Sequence, residues 1–382
     1  MYRKITYYIL KKEIMFIIIF LISFCVYIYD NNFFWTINSV PNNSPKNFQD
    51  FRYLQYIADF YPYINANSNE LYAVRIFGGP SGFQDAVLNY PRIWIFVSKH
   101  INIKNEDILY LSYFVIVFLY IKIFYNLIKK FDNFFFLYLF YSGSSLFLLQ
   151  RGNVDIIIFL ILYYSFTQKN TFIKYTAYLT SSFLKIYPAF SLLFFLNYKK
   201  NFRVIFILSL IFIFYLFLIK NDLKNISTYN PVSGNSSYGL LSIILNINEH
   251  FSININYIKF LFLNFICLFV IYFFTKEKLP KQYKDEELFL LGSGIFIFTF
   301  IINTHHDYRL IFLFLCAPLL LSINNKIFKF FNLFIFILTL ELHRLLSTFG
   351  FFGGVVNSFA KLIFFYIMSI LYIDIIKKNY FR

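Results

Sequence analysis

The chain has 382 residues, of which 59% are hydrophobic and 14% are charged, and this balance excludes an ordinary soluble domain. Its net charge of +16 would suit nucleic-acid binding, but most of the excess lies in short loops between apolar runs, where the positive-inside rule explains it. Cys25, Cys267 and Cys316 all lie in apolar runs, so their spacing predicts neither a disulfide framework nor a metal site. We therefore expect no cofactor and no nucleic-acid partner.

Apolar runs, roughly ten or more in number, follow one another along the chain and are separated by short polar loops. Because backbone polar groups cannot remain unpaired in lipid, each run is expected to form a helix. The runs closest to the length of a membrane span are Ile14–Tyr29, Ile108–Ile128, Val204–Ile219, Tyr257–Phe274, Leu288–Ile302 and Leu362–Ile376. We predict an all-α polytopic membrane protein, one integral membrane domain over residues 1–382 with about 12 transmembrane helices and a range of about 10 to 13.

Basic residues precede the first span, which places the N-terminus in the cytoplasm. This span lacks a small-residue cleavage site, so we interpret it as a retained anchor. The alternating Lys/Arg content of the later loops then predicts both termini on the cytoplasmic side of a bacterial inner membrane. The loops alternate consistently between the two sides of the membrane only if Tyr175–Leu196 forms a hairpin of two short helices that is broken near Pro188.

A long first outer loop, residues 30–107, follows the first span. Its apolar residues have helix-like spacing from Phe51 to Tyr61, and further apolar stretches cover Leu71–Phe77 and Ile93–Val97. This pattern predicts two or three amphipathic helices lying at the membrane interface.

Four carboxylates of this loop are candidates for a general base, which would accept the proton of an attacking hydroxyl: Asp50, Asp59, Glu70 and Asp85. Asp50 leads because it opens a helix-like stretch, where a helix N-terminus would hold it ionised. Asp59 is the second choice. The alternative is that all four are solvated residues of an exposed loop.

A polar turn, Gln150–Asp155, separates two strongly apolar runs. Arg151 could bind a phosphate, while Asn153 and Asp155 position a sugar or the arginine. The alternative is a plain interfacial turn whose arginine extends to the lipid headgroups.

Lys185 lies inside a segment that is apolar on both sides, three residues before Pro188, which should break or kink a helix. A charge at such depth is unfavourable without a function, so we expect Lys185 to meet a phosphate or pyrophosphate. The alternative is a lysine that extends to the outer headgroups.

Two polar segments on the outer side follow in the second half of the chain. The second outer loop, residues 221–256, has turn residues before an apolar stretch, Gly239–Ile247. Within Asn303–Arg309, His306 and Arg309 are three apart on one predicted helical face and could contact a phosphate or sugar. The adjacent His305 would point about 100° away on a helix, which argues against a metal site. A plain polar turn at the interface is the alternative.

Taken together, these motifs resemble a membrane glycosyltransferase of the GT-C superfamily, most closely glycosyltransferase family 87, whose members are mannosyltransferase-like enzymes. The resemblance covers roughly residues 14–320 and rests on the order and spacing of short motifs. They are Asp50-Phe51, Asn89-Tyr90-Pro91-Arg92-Ile93-Trp94, Gly152-Asn153-Val154-Asp155 and Lys185-Ile186-Tyr187-Pro188. The chain departs from the family at Arg92, where members often have a second proline, and at Asp155, since an acid here is not general.

The resemblance implies transfer of a sugar from a polyprenyl-phosphate donor to a lipid-linked or cell-envelope acceptor, with inversion at the anomeric carbon. An aspartate of the outer loop would be the general base, which by position is Asp50. Tyr90 belongs to the implied substrate site, and the donor phosphate would be held by basic residues, for which the candidates are Arg92, Arg151, Lys185 and Arg309.

Two other classes of membrane protein fit some of these features. A transporter or flippase for a lipid-linked glycan would explain charges at membrane depth, although no internal repeat is apparent. A glycan polymerase also works at the outer face, but its large outer loop more often comes late in the chain. A structural or assembly protein is the remaining alternative.

Overall fold

The computed structural model describes residues 73–74, 86–87, 93, 106–151, 153–191, 202–220, 223, 237–252, 254–280, 283–302 and 305–380. The predicted first span and most of the first outer loop lie outside these residues.

The described residues are almost entirely helical. The α-helices are α1 Glu106–Phe131, α2 Phe135–Tyr141, α3 Gly143–Arg151, α4 Asp155–Phe166, α5 Thr171–Leu184, α6 Phe202–Leu218, α7 Leu240–Phe251, α8 Tyr257–Thr275, α9 Glu286–Ile302, α10 Ala317–Ser322, α11 Lys326–Leu340 and α12 Leu342–Tyr380. Helix α12 is interrupted at Gly350, whose backbone is not helical (φ 54°, ψ −136°). The 3₁₀ helices are η1 Lys276–Lys278 and η2 Asp307–Cys316. Two antiparallel pairs of two-residue strands complete the fold: β1 Ala73–Val74 with β2 Ala86–Val87, and β3 Ser237–Tyr238 with β4 His305–His306.

Asparagine side chains mark where several of these helices begin. Asn170, Asn256 and Asn325 each have an extended backbone and accept a hydrogen bond from a backbone N–H in the first turn of α5, α8 and α11. Such caps satisfy donors that the helix itself leaves without a partner. The polar loops between the apolar runs therefore set the helix boundaries.

Two helices are long and apolar enough to cross a membrane: the 19 residues Tyr257–Thr275 of α8 and the 28 residues Phe352–Asn379 of α12. Shorter apolar helices cover Asp155–Phe166, Phe206–Leu218 and Arg309–Ser322. The described residues thus confirm the all-helical character and are consistent with a membrane protein. The number of about 12 spans stays a prediction.

The prediction of interfacial helices in the first outer loop is contradicted within Leu71–Phe77, whereas Ile93, which opens the stretch Ile93–Val97, is helical. Ala73 and Val74, within the stretch Leu71–Phe77, form strand β1 rather than a helix. A short apolar run is compatible with a helix or a strand, and here the pairing with β2 favours the strand. The other residues assigned to interfacial helices, except Ile93, lie outside the described part.

The break predicted in Tyr175–Leu196 is confirmed. Helix α5 ends at Leu184, and Lys185 is extended, with φ −147° and ψ 139°. Residues 187–191 then form a 3₁₀ turn that contains Pro188. Proline has no backbone N–H, and in a continued α-helix its ring would clash with the carbonyl of Leu184, four residues earlier, so the helix stops upstream of Pro188. The second helix of the predicted hairpin lies outside the described residues.

One end of the fold, which we call the Lys130 end, brings together three segments that the positive-inside rule predicts to be cytoplasmic: Lys129/Lys130, Lys169–Lys174 and the residues that follow Lys276–Lys284. Lys130 Nζ lies 2.8 Å from Asp285 Oδ1, and Lys174 Nζ lies 2.5 Å from Glu287 Oε2. The C-terminal part of α12 joins them, since Asn379 Nδ2 donates to Glu286 Oε2 over 2.9 Å. Helices α5 and α9 run from this end to the polar residues described below.

The core is densest where η2 packs on α9. A Cβ atom at Gly292 of α9 would lie 2.4 Å from the carbonyl oxygen of Phe312, so only glycine allows this approach. Phe312 is almost fully buried. This contact fixes the middle of η2 against the bundle.

Candidate functional site

The site begins at the turn between α3 and α4. Helix α3 ends at Arg151, and the backbone N–H of Asp155 donates to the side-chain oxygen of Asn153 over 2.9 Å. This local bond stabilises the first turn of α4. Asn153 and Asp155 are both fully buried, so the polar turn predicted here is not an exposed loop.

Two cationic side chains converge on Asp155 from distant segments. Lys185 Nζ forms an ion pair with Asp155 Oδ1, and Arg309 Nε lies 3.3 Å from Asp155 Oδ2. Lys185 Nζ also lies 3.5 Å from Asn153 Oδ1. Lys185 reaches this position because α5 ends one residue earlier, and Arg309 comes from the first turn of η2.

An aromatic ring completes the group. The centroid of the Tyr187 ring lies 5.9 Å from Lys185 Nζ and 5.5 Å from Arg309 Cζ. The ring also meets Phe312 edge to face at 5.3 Å. Cations near a ring face are attracted by its quadrupole, so Tyr187 stabilises both charges from the apolar side. We call Asn153, Asp155, Lys185, Tyr187 and Arg309 the Asp155 cluster.

The charges of the Asp155 cluster are buried to different degrees. The side chains of Asp155 and Lys185 are 0% and 5% exposed, whereas that of Arg309 is 16% exposed. Two cations on one carboxylate give these three side chains a formal charge of +1. Buried ions lose hydration free energy that their pairing does not reliably return, so stability alone is a poor reason for this arrangement. A charged cluster among apolar helices is a functional-site hypothesis by default.

A second buried ion pair lies beside the first. Lys361 Nζ of α12 lies 2.7 Å and 3.0 Å from the two carboxylate oxygens of Asp307, two residues before Arg309. Both side chains are 3% exposed. Sequence reasoning missed Lys361, although a lysine within the apolar run of α12 is the signal that could have found it.

Tyr238 links the strand pair to the bundle at the same place. Its hydroxyl is 3.0 Å from Thr299 Oγ1 of α9, and its backbone pairs with His305 in the β3–β4 ladder. The second outer loop thus contacts the start of η2. The structure therefore adds Tyr238 and the Asp307–Lys361 pair to the residues around Arg309.

Four of the predicted substrate-binding residues come together in this cluster: Asn153, Asp155, Lys185 and Arg309. Both predicted catalytic residues, Asp50 and Asp59, lie outside the described residues, as do Tyr90 and Arg92. The structure describes the backbone of Arg151 at the end of α3 but not its side chain.

The prediction that His306 and Arg309 share one helical face is wrong. His306 belongs to strand β4 and pairs with Ser237, whereas Arg309 lies in η2. The pairing with a distant strand overrides the local periodicity on which the prediction relied. The side chain of His306 is outside the described part, so its proposed contact with a phosphate or sugar stays a prediction.

Among the side chains that the structure describes, no group of three or more His, Cys, Asp or Glu residues could hold a metal ion. The Asp155 cluster offers a ligand two cations and an aromatic ring. Guanidinium and ammonium groups suit phosphate oxygens.

No family model, no curated protein and no solved structure matches this chain. The family resemblance of its motifs therefore stays a prediction. A functional assignment rests on the geometry of the Asp155 cluster and on those motifs.

Proposed function

We propose that this chain is a membrane glycosyltransferase of the GT-C type. It moves a hexose or pentose from a polyprenyl-phosphate sugar to a lipid-linked or cell-envelope acceptor at the outer face of a bacterial cytoplasmic membrane. The observation that carries the proposal is the convergence of Lys185 and Arg309 on the buried Asp155. These three residues come from three separate segments of the chain, and each lies in a polar motif of the sequence.

The surface of α8 supports the membrane part of the proposal. The apolar stretch of this helix has a mean hydropathy of 2.2, yet only 11% of its residues are buried inside the fold. Large apolar side chains such as Phe262, Phe269 and Phe274 are 66%, 70% and 73% exposed. A helix that is apolar on its outward faces needs lipid or another apolar partner around it.

The distribution of charges supports the proposed orientation. At the Lys130 end, Lys130 and Lys174 from two predicted cytoplasmic segments pair with Asp285 and Glu287, which follow a third such segment. The Asp155 cluster lies at the other ends of α5 and α9, next to segments predicted to be extracytoplasmic. By the positive-inside rule, the cluster would then face the outer side, where polyprenyl-phosphate sugars are used as donors.

The chemistry of the donor fits the cluster. When the acceptor oxygen bonds to the anomeric carbon, the bond from that carbon to the phosphate oxygen breaks and polyprenyl phosphate leaves. Negative charge therefore grows on the phosphate, and Arg309 and Lys185 are placed to stabilise it. Asp155 would position both cations while leaving their combined charge positive.

The proton of the acceptor hydroxyl needs a base on the opposite side of the sugar. Asp50 is the proposed base, with Asp59 second, and both belong to the first outer loop. A single base opposite the leaving group gives inversion. No covalent sugar–enzyme intermediate is required.

The test is sugar transfer in vitro by purified protein in lipid vesicles, with a panel of polyprenyl-phosphate sugars as donors. We expect transfer by the wild type, loss of transfer in Asp50→Asn, and a decrease of at least about 100-fold in Arg309→Gln, since a group that stabilises leaving-group charge is removed. Lys130→Gln is the matched control, because Lys130 is 59% exposed at the other end.

Each result has a distinct consequence. If Asp50→Asn keeps full activity, the base moves to Asp59 or another residue. If Arg309→Gln and Lys130→Gln behave alike, the Asp155 cluster does not bind the donor. Transport of a labelled lipid-linked sugar across the vesicle, without transfer from any donor, would replace the proposal with a flippase.

A further inference from the structure

We propose that Lys361 is a positioning residue for the donor phosphate: through Asp307 it fixes the first turn of η2, and thereby Arg309. This inference rests on the proposed function, because it concerns the same phosphate site. Lys361 itself is nearly fully buried, and its Nζ donates to Asp307 at the start of η2.

The location of the pair supports this role. Lys361 lies in the apolar part of α12, and its Nζ contacts both oxygens of Asp307 at 2.7 Å and 3.0 Å. Asp307 is the first residue of η2, and Arg309 follows two residues later. Within so short a segment, a displacement of the Asp307 backbone must also displace Arg309.

Contacts on both sides flank the start of η2. On its N-terminal side, the β3–β4 ladder holds His305 and His306 through only two residue pairs. On its C-terminal side, the close packing of Gly292 on Phe312 lies three residues after Arg309. The Asp307–Lys361 ion pair lies between these two, next to the Arg309–Asp155 contact, and ties η2 to α12.

The energetics point the same way. A buried ion pair is a weak source of stability, since the desolvation of two charges offsets their attraction. It does fix the position of Asp307 relative to Lys361, because both oxygens of the carboxylate are held at hydrogen-bond distance. The pair therefore fits a role in placing a neighbouring charge.

The experiment measures how well the purified protein distinguishes polyprenyl phosphate from polyprenol by native mass spectrometry. The two probes have the same chain and differ in the phosphate, so their binding ratio reports the phosphate site. We expect the wild type to prefer polyprenyl phosphate, and Lys361→Met to lose about tenfold of this preference. Lys361→Arg should restore most of it, because the charge and its bonds to Asp307 return.

Two further variants separate positioning from folding. In the double variant Asp307→Asn/Lys361→Met no buried charge is left alone, and we expect it to fold and still lose the preference. Lys174→Met removes an ion pair at the Lys130 end, with side-chain exposures of 8% and 35% for its two residues, and should keep the preference of the wild type.

The outcomes distinguish this inference from the proposed function. If the wild type binds polyprenol as well as polyprenyl phosphate, the proposed function and this inference both fail. If the wild type prefers the phosphate and the folded double variant keeps that preference, only the role of Lys361 is refuted. A loss that Lys174→Met shares would equally refute it, since the effect would then follow from any lost ion pair.

Discussion

The Lys130–Asp285 pair at the Lys130 end and the Lys185–Asp155 pair of the Asp155 cluster both join a lysine to a carboxylate, but their surroundings are opposite. Lys130 and Asp285 are 59% and 22% exposed, whereas Lys185 and Asp155 are 5% and 0% exposed. Exposed pairs are screened by water and contribute about 0–1 kcal/mol. Buried pairs lose hydration free energy, and what they contribute is a defined geometry more than stability. The comparison therefore indicates that the charges of the Asp155 cluster have a purpose other than stability.

The largest effect should come from Asp155→Asn, which keeps the shape of the side chain but leaves Lys185 and Arg309 without their shared carboxylate. Breaking a buried ion pair from one side is expected to lower the free energy of unfolding by about 3–5 kcal/mol. The matched change at the Lys130 end is Asp285→Asn, with an expected loss of about 0–1 kcal/mol.

Thermal or denaturant unfolding of the two variants in detergent would measure this difference. Equal losses would mean that water or lipid headgroups screen the Asp155 cluster as well as they screen the Lys130 end. The contrast between the two ends would then disappear.

A smaller effect is expected from Gly292→Ala, which tests whether packing of η2 supports the cluster. The new Cβ atom would lie 2.4 Å from the backbone oxygen of Phe312, so the backbone of η2 must shift. Overpacking of this kind lowers stability by about 1–3 kcal/mol. The control is Gly294→Ala, two residues along the same helix, where the nearest atom is at 3.2 Å.

The two alanine variants should also differ in sugar transfer. Arg309 is carried by η2, so transfer should fall more in Gly292→Ala than in Gly294→Ala. A ranking in the opposite order would show that η2 can shift without moving Arg309.

The smallest effect should come from the ring of Tyr187. Tyr187→Leu removes a ring whose centroid lies 5.5 Å from Arg309 Cζ, and such contacts contribute about 0.5–2 kcal/mol. Tyr187→Phe keeps the ring and serves as its control. Unfolding measurements should show a loss in the leucine variant only, and a similar loss in both variants would assign the stabilisation to the phenolic oxygen instead.

Local features of the fold could be predicted from the sequence. The run Tyr257–Phe274 became α8 with nearly the same bounds, because a continuous apolar stretch leaves the backbone no partner except itself. Pro188 likewise predicted the end of α5 and the position of Lys185 near a break. These signals depend only on residues close together in the chain.

Pairings between distant segments could not be predicted in this way. Asp155 and Arg309 were both candidates, but nothing in the sequence pairs two residues that are 154 positions apart. The same reason accounts for the wrong helical face of His306, since strand β3 that fixes it lies in another loop. Composition and periodicity indicate which residues are unusual, and tertiary packing decides which of them meet.

The winding of η2 has a mechanical consequence. Ten residues extend about 20 Å as a 3₁₀ helix but only about 15 Å as an α-helix. If the end joined to α10 stays in place, rewinding the part of η2 between Arg309 and Cys316 would withdraw Arg309 by about 3.5 Å, enough to break its contact with Asp155. The reach of this arginine is therefore set by the pitch of the helix that carries it.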